Sequence, residues 1–178
     1  MKLESKRLEI CPINLRHKEE IFEYRKDKEA NKYQSWIPEN LESVEAFINK
    51  VHPKVDVPDT WFQVVIIEKK LGKVIGDIGI HFLEEESQQV DIGYTLHQSF
   101  QGKGYATEAV GRVIDYLFID LNKHRITASL DPENIKSIQL LERIGFRKEA
   151  YFKESLWIDG KWVDDIIYGM LKKEWKNR

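Results

Sequence analysis

The clearest periodicity in the chain runs from Ala106 to Leu121. Ala106, Ala109, Val110, Val113, Ile114, Leu117, Phe118 and Leu121 recur at three- and four-residue steps. That is one continuous apolar stripe and predicts a helix with one buried side. A second stripe, Leu41, Val44, Phe47, Ile48 and Val51, predicts a helix capped by Asn40 and ended before Pro53 and Pro58. Residues 15–30 read as a further helix behind Asn14, with Leu15, Ile21, Phe22 and Tyr24 inward and its charges solvated. A fourth begins near Pro132, turns Ile135, Ile138, Leu141 and Ile144 inward, and stops at Gly145.

Elsewhere the period is two. Residues 7–13, 61–68, 73–83, 90–96, 124–130, 146–158 and 161–175 are rich in β-branched and aromatic side chains and read as strands. Gly72 supplies a positive φ in the turn at 69–73, and Asp159-Gly160 is a hairpin signal between the last two strands. The strands at 90–96 and 124–130 are joined by a helix, so they should run parallel. The order predicts an α+β architecture, with a mixed, mainly antiparallel sheet of about seven strands flanked by about four helices. Residues 1–178 are read as a single domain, long enough to bury a core.

Between the strand at 90–96 and the long helix lies QGKGYATEAV, residues 101–110. Gly102 and Gly104 strip side chains from a tight turn, so a ligand could approach the backbone closely. The first N–H groups of a helix lack internal partners, and its dipole favours an anion there. Three readings compete. The glycines can serve only to join a strand to a helix. They can open a dinucleotide site, although the third glycine of that fingerprint is replaced by Thr107 and no repeated βαβ unit is visible. Or they can seat the pyrophosphate of an acyl-coenzyme A. Glu108, in the first helical turn, is read as favouring the positive helix end rather than as catalytic.

Composition narrows the field modestly. The chain is 42% hydrophobic and 33% charged with a net charge of −2, and its Lys and Arg are scattered, which gives no support for a nucleic-acid partner. No apolar run is long enough to span a membrane, and the opening MKLESKRLEI lacks an apolar signal region, so a cytoplasmic protein is expected. The lone cysteine, Cys11, reads as a small hydrophobe in a strand. The histidines show no metal-ligand spacing, so no metal is expected.

Four segments, in order, resemble the GNAT superfamily of acetyl-CoA-dependent N-acetyltransferases. IGYTL with QGKGYATEA resembles its pyrophosphate motif, Q/R-x-x-G-x-G/A. HRITASLDPENIKSIQLLERIGF, DGKWVDDIIYGML and SKRLEICPI resemble segments of its ribosomal-protein N-terminal acetyltransferase branch. The resemblance covers nearly the whole chain. It implies a splayed pair of parallel strands, 90–96 and 124–130, with the coenzyme arm between them. Tyr94, Thr95 and Leu96 would line that arm and Gln101, Gly102, Lys103, Gly104, Tyr105 and Ala106 would hold the pyrophosphate through backbone N–H groups. Asn134 matches the motif asparagine that contacts the coenzyme, though its type and position equally fit a helix cap.

Acetylating an amine requires loss of a proton from nitrogen and a donor for the departing thiolate. A backbone N–H near Tyr94 or Thr95 could polarise the thioester carbonyl. The tyrosine that many relatives carry four residues before Gly-Phe is replaced by Leu141, and a strand carboxylate used in others is replaced by Ser129. Ser137 matches the serine of the branch's N-x-x-S motif, set near the thiol. Asp91 is the first candidate base and Glu154, near the substrate mouth, the second; Asp77 and His81 are further candidates. Each of these is also readable as an ordinary helical or strand residue. Tyr33, Trp36 and the 52–60 loop are expected to line the acceptor side. The expected partners are acetyl-CoA and an amine acceptor, a small molecule or a protein N-terminus, with the chain a monomer or homodimer; the resemblance implies that dimers are common among relatives. A non-catalytic acyl-CoA-binding module is the alternative, and a nicotinamide oxidoreductase a third reading.

Overall fold

The computed structural model describes residues 1–84, 88–158 and 160–175. Among these, eight strands form one sheet: β1 (Leu3–Glu4), β2 (Leu8–Pro12), β3 (Thr60–Glu68), β4 (Lys73–Phe82), β5 (Gln89–Leu96), β6 (Arg125–Leu130), β7 (Arg147–Ile158) and β8 (Lys161–Leu171). Their spatial order is β1-β2-β3-β4-β5-β6-β8-β7. Every neighbouring pair is antiparallel except β5 and β6, which are parallel as the intervening helix requires. The α+β architecture expected from the order of elements is present. The eighth strand is the two-residue β1, too short for a periodicity to announce.

Helices cover both faces. α1 (Lys18–Arg25) and α2 (Leu41–Lys50) bury Ile21, Tyr24, Val44 and Ile48 against Cys11, Val65 and Val74 on one face. α3 (Tyr105–Asp115) and α4 (Ile135–Ile144) pack Ala109, Val110, Val113, Leu140 and Leu141 onto the other. The expected stripe is buried through Leu117 and Phe118, but the end of α3 widens into a π-helical turn over Tyr116–Asp120 that leaves Ile119 exposed. A short α5 (Lys172–Trp175) follows β8, where strand had been expected to continue to residue 175.

The first helix departs most from expectation. Asn14 caps a single 3-10 turn, Leu15–His17, and α1 proper ends at Arg25 rather than at residue 30. Asp27 ends it by accepting hydrogen bonds from the N–H groups of Glu29 and Ala30, both at 3.0 Å, which turns the chain into a loop. Arg25 fixes the point of departure. It is buried, reaches Asp77 on β4 at 2.6 and 2.9 Å, and donates to the carbonyl of Trp36 at 3.2 Å. Gln63 donates to the same carboxylate at 2.6 Å, and Tyr24 adds its hydroxyl. Burial opposes the charge of Arg25, but the Asp77 carboxylate outweighs it and holds the guanidinium protonated.

A second clamp fixes α3. Glu108 accepts from Ser5 Oγ at 2.7 Å, from the Arg7 N–H at 2.8 Å and from Arg7 Nε at 2.6 Å. Arg7 also donates to the Lys103 carbonyl at 2.8 Å and lies 4.2 Å over the Tyr105 ring. Burial favours the neutral acid, yet the hydrogen bonds from Ser5 and Arg7 prevail and hold the carboxyl below its ordinary range.

At the far edge, β7 pairs among the described residues only with β8 and is exposed along most of its length. Its ladder shifts register between Phe152 and Leu156, around Glu154 at φ +47°. Gly160 holds φ +79° in the turn of this hairpin; its expected companion Asp159 lies outside the described residues. Cys11 is buried in β2, and that burial raises its thiol pKa.

Two outcomes follow from the clamps. Asp77→Ala strands Arg25 as an unpaired buried charge and should lower stability by about 3–5 kcal/mol in urea unfolding. Removing the exposed Glu23–Lys26 pair should leave the unfolding midpoint unchanged. Because Glu108 titrates lower in the folded than in the unfolded chain, its contribution is complete above the ordinary glutamate pKa and is lost as pH falls through the folded value. Glu108→Gln should therefore flatten the acid side of the stability–pH curve below about pH 4.5.

Candidate functional site

The parallel pair is where the sheet opens. β5 and β6 are in register at three positions only, Gln89 with Arg125, Val90 with Ile126 and Asp91 with Thr127. Beyond Asp91 they part. Each stays straight because its other neighbour holds it: β5 is paired with β4 through Leu96, and β6 with β8 through Leu130. The gap continues into a cleft of about 930 Å³ bounded by the ends of α3 and α4 and by the loop after α1.

At one end sits the glycine turn. Gly102 and Gly104 have φ of +73° and +79°, left-handed conformations that a side chain resists. A Cβ at Gly102 would meet open space, whereas one at Gly104 would come 3.4 Å from Arg7. Gly104 is the residue before α3 and provides no side-chain cap, so the N–H groups of Tyr105, Ala106 and Thr107 face the cleft without a helical acceptor. Gln101 braces the turn, donating to the Leu96 carbonyl at 3.1 Å and accepting from Lys136 of α4 at 3.1 Å. Such a seat fits a pyrophosphate by backbone donors and dipole alone.

The opposite wall comes from α4. Asn134 caps it, its Oδ1 accepting from the Ser137 N–H at 3.3 Å. The Ser137 carbonyl in turn accepts from the Tyr94 hydroxyl at 3.3 Å. Burial pushes the Tyr94 phenol well above its ordinary pKa, so it stays a donor. From the other side Gln34 closes over β5, accepting from Thr95 Oγ1 at 2.7 Å. Gln34 is a cleft residue that the sequence did not disclose, since a polar residue in an irregular loop carries no periodic signal.

Of the residues expected to hold the coenzyme, Tyr94, Thr95, Leu96, Gln101, Gly102 and Gly104 line this cleft, as do Tyr105, Ala106, Asn134 and Ser137. Lys103 lies in the turn, but its ammonium points away, to the Ser99 carbonyl at 2.8 Å. Tyr33 lines the cleft too. Trp36 does not: it stacks on Phe47 at 4.3 Å between ring centres and serves packing. Asp56 and Pro58 of the 52–60 loop line a separate hollow of about 290 Å³ beside Phe82.

The candidate bases are distributed differently from expectation. Asp77 is withdrawn: four donors hold its buried carboxylate. Glu154 does not line the cleft either; it is exposed on the outer hairpin, beyond β8 from the splay, with its N–H bonded to Asp164 at 2.8 Å. Asp91 stands at the closed end of the splay. One of its oxygens takes the Thr127 hydroxyl and the other lies 3.8 Å from His81 Nδ1. At the position where relatives carry a strand carboxylate, Ser129 donates to Asp165 of β8 at 2.7 Å, so an acid is present one strand over. Leu141 is fully buried in the core. Among the described residues, no group of three or more His, Cys, Asp or Glu side chains could hold a metal ion, and no helix is long and apolar enough to cross a membrane.

Comparison with known proteins agrees with this geometry. Residues 7–147 match the family described as Acetyltransferase (GNAT) domain. The chain is 33% identical over 178 residues to the uncharacterized N-acetyltransferase YnaD of Bacillus subtilis (strain 168), covering 98% of this chain and 99% of that one. It is 40% identical over 84 residues to the [Ribosomal protein uS5]-alanine N-acetyltransferase of Escherichia coli (strain K12), covering 47% of this chain and 43% of that protein. A crystal structure of an acetyltransferase (GNAT family) from Bacillus anthracis superposes with a TM-score of 0.87 at 29% identity, over 98% of this chain and 100% of that one. A splayed parallel pair, a glycine turn before a bare helix end and these matches lead to one assignment: the chain belongs to the GNAT family and is an acetyl-CoA-dependent N-acetyltransferase.

Proposed function

We propose that the protein moves the acetyl group of acetyl-CoA to a primary amine by direct attack within a ternary complex, with residues 1–178 acting as one catalytic domain. The observation that carries this reading is the continuous cleft from the glycine turn at Gly102 and Gly104 to Ser137, along the unpaired edge of β5. A coenzyme whose pyrophosphate sits on the first N–H groups of α3 has one direction for its arm, back along β5 toward Asp91. The coenzyme supplies the acetyl group as a thioester.

The chain's own residues then divide the work. Tyr94 and Thr95 present backbone groups to the arm, and an N–H there would polarise the thioester carbonyl. Asn134 holds the first turn of α4, and so the Ser137 backbone, in place. The Ser137 hydroxyl, on the first turn of α4 and lining the cleft, would hydrogen-bond the departing sulfur. Leu141, buried in the core, cannot take that role. Asp91, at the vertex of the splay, marks the end at which the amine proton leaves.

The acceptor is a primary amine of either kind, the N-terminus of a protein or a small molecule. The similarity to the enzyme acting on ribosomal protein uS5 supports the first, but over only 47% of this chain.

Calorimetric titration with acetyl-CoA, with NADH as control, followed by thiol release across an amine panel, tests the reading. Binding of acetyl-CoA with turnover on one amine class is expected; binding without any turnover would favour a non-catalytic module. Gly104→Ala forces a side chain into a left-handed position at roughly 1–2 kcal/mol. It should weaken acetyl-CoA binding about tenfold. Ser137→Ala should lower kcat about 10²-fold with a much smaller effect on acetyl-CoA affinity.

A further inference from the structure

The sheet face that carries α1 and α2 is not covered over its whole width. On β4 and β5 three register pairs point to it: Asp77 with Thr95, Gly79 with Gly93, and His81 with Asp91. The first pair is buried, Asp77 under Tyr24 and Arg25 and Thr95 under Gln34. In the other two pairs Gly79 is buried, Gly93 is exposed, and His81 and Asp91 are half-buried. A Cβ built at Gly93 would have no atom within 4 Å. Its partner Gly79 is the opposite case, since Gln63 and Trp61 already fill the space beside it at 2.8 and 3.1 Å. The result is a notch through to β5, floored by Gly93 and flanked by the Trp61 ring.

His81 stands at the rim of this notch. Its ring lies flat against Trp61, with centres 4.8 Å apart and planes within 6°. Nδ1 faces Asp91 at 3.8 Å, an ion-pair distance longer than a hydrogen bond, and Asp91 is steadied from β6 by Thr127. Thus β3 fixes the plane of the imidazole, β5 fixes which nitrogen is engaged, and β6 fixes the carboxylate. Nε2 has no described hydrogen bond. Both side chains keep contact with water, at 27% and 42% exposure for His81 and Asp91.

The pair is also in the right place along β5. Asp91 is the last position at which β5 and β6 are in register. An arm entering from the glycine turn would run along β5 toward it, and Gly93 is the residue that would receive the thioester. Gly93 is two residues from Asp91, roughly 7 Å along the strand.

We propose that His81 is the proton acceptor for the attacking amine, that Asp91 is its positioning residue, and that Gly93 is the port through which the amine reaches the thioester. This rests on the acetyl-transfer reading above. The ammonium gives one proton to His81 Nε2. The freed nitrogen lone pair forms the C–N bond as the C–S bond breaks with its electrons on sulfur. The second N–H proton ends on the thiolate, and His81 returns its own to solvent. An imidazole suits the task because it can take a proton at Nε2 while Nδ1 stays turned to the Asp91 carboxylate. Asp91 and the Trp61 face both favour the imidazolium once it forms.

The test uses the full chain, a titration with acetyl-CoA, and pH–rate profiles on an alkylamine acceptor and on a weakly basic amine already neutral at neutral pH. His81→Gln should leave acetyl-CoA affinity unchanged and lower kcat/KM for the alkylamine about 10²-fold at neutral pH, with the deficit shrinking as pH rises toward the amine's own pKa, while sparing the weakly basic amine. Asp91→Asn, which takes the carboxylate away from Nδ1, should lower kcat/KM for the alkylamine while sparing the weakly basic amine and acetyl-CoA affinity. Gly93→Val should block alkylamine turnover with coenzyme binding intact. A His81→Gln protein that keeps the wild-type profile, or loses equally on both amines, overturns the proposal and leaves acetyl transfer standing. A wild-type protein with no turnover on any amine overturns both.

Discussion

A sheet normally satisfies each strand on both edges, and the working part of this molecule depends on one place where it does not. β5 and β6 meet at Gln89, Val90 and Asp91 and then separate. Backbone N–H and C=O groups left along the gap need partners, which makes the gap a site for something with its own amide groups. The separation is rigid rather than loose because β4 and β8 hold the outer edges of both strands. The same geometry decides where the rest goes. A parallel pair needs a crossover, the crossover is α3, and α3 therefore starts at the wide end of the gap, with its bare N–H groups turned inward. The Ser5–Arg7–Glu108 clamp then ties that helix end to the first two strands, so the anion seat is fixed from both sides.

What the sequence disclosed and what it hid follow from the range of the interactions involved. The apolar stripe of α3, the Asn14, Asn40 and Asn134 caps and the left-handed glycines at 72, 102, 104, 145 and 160 are local matters, and they stand where the pattern put them. Most of the cleft's lining was legible for the same reason: it is one turn, one strand end and one helix start. Asp77 was not. On β4 it reads as a solvated strand acid, and only the fold shows Arg25, 52 residues away in sequence, lying against it. Asp27 ends α1 early by accepting from the Glu29 and Ala30 N–H groups, which a charge pattern of helix formers through residue 30 did not reveal. Glu154 failed for a topological reason, since β8 inserts between β6 and β7 and carries the last hairpin outward.

That hairpin is the least protected part of the sheet. β7 is an edge strand of 12 residues with Trp157 and, across the turn on β8, Trp162 both more than half exposed. An edge of this length invites another strand. Two register shifts interrupt it, one of them around the left-handed Glu154, and Lys148, Lys153 and Glu154 place charges along it. The bulges twist the ladder and the charges resist pairing, which is how an exposed edge can carry aromatic side chains without templating sheet growth.

The solitary cysteine has a practical meaning for an enzyme whose product is a free thiol. Cys11 lies in β2 under the α1–α2 layer, and its burial keeps the thiol protonated. Thiol-reactive chromophores attack thiolates at accessible sulfur. In the native protein such a reagent reads the released coenzyme against almost no background from the enzyme itself. On unfolding, one equivalent appears, so the same colour reaction counts both turnovers and intact molecules.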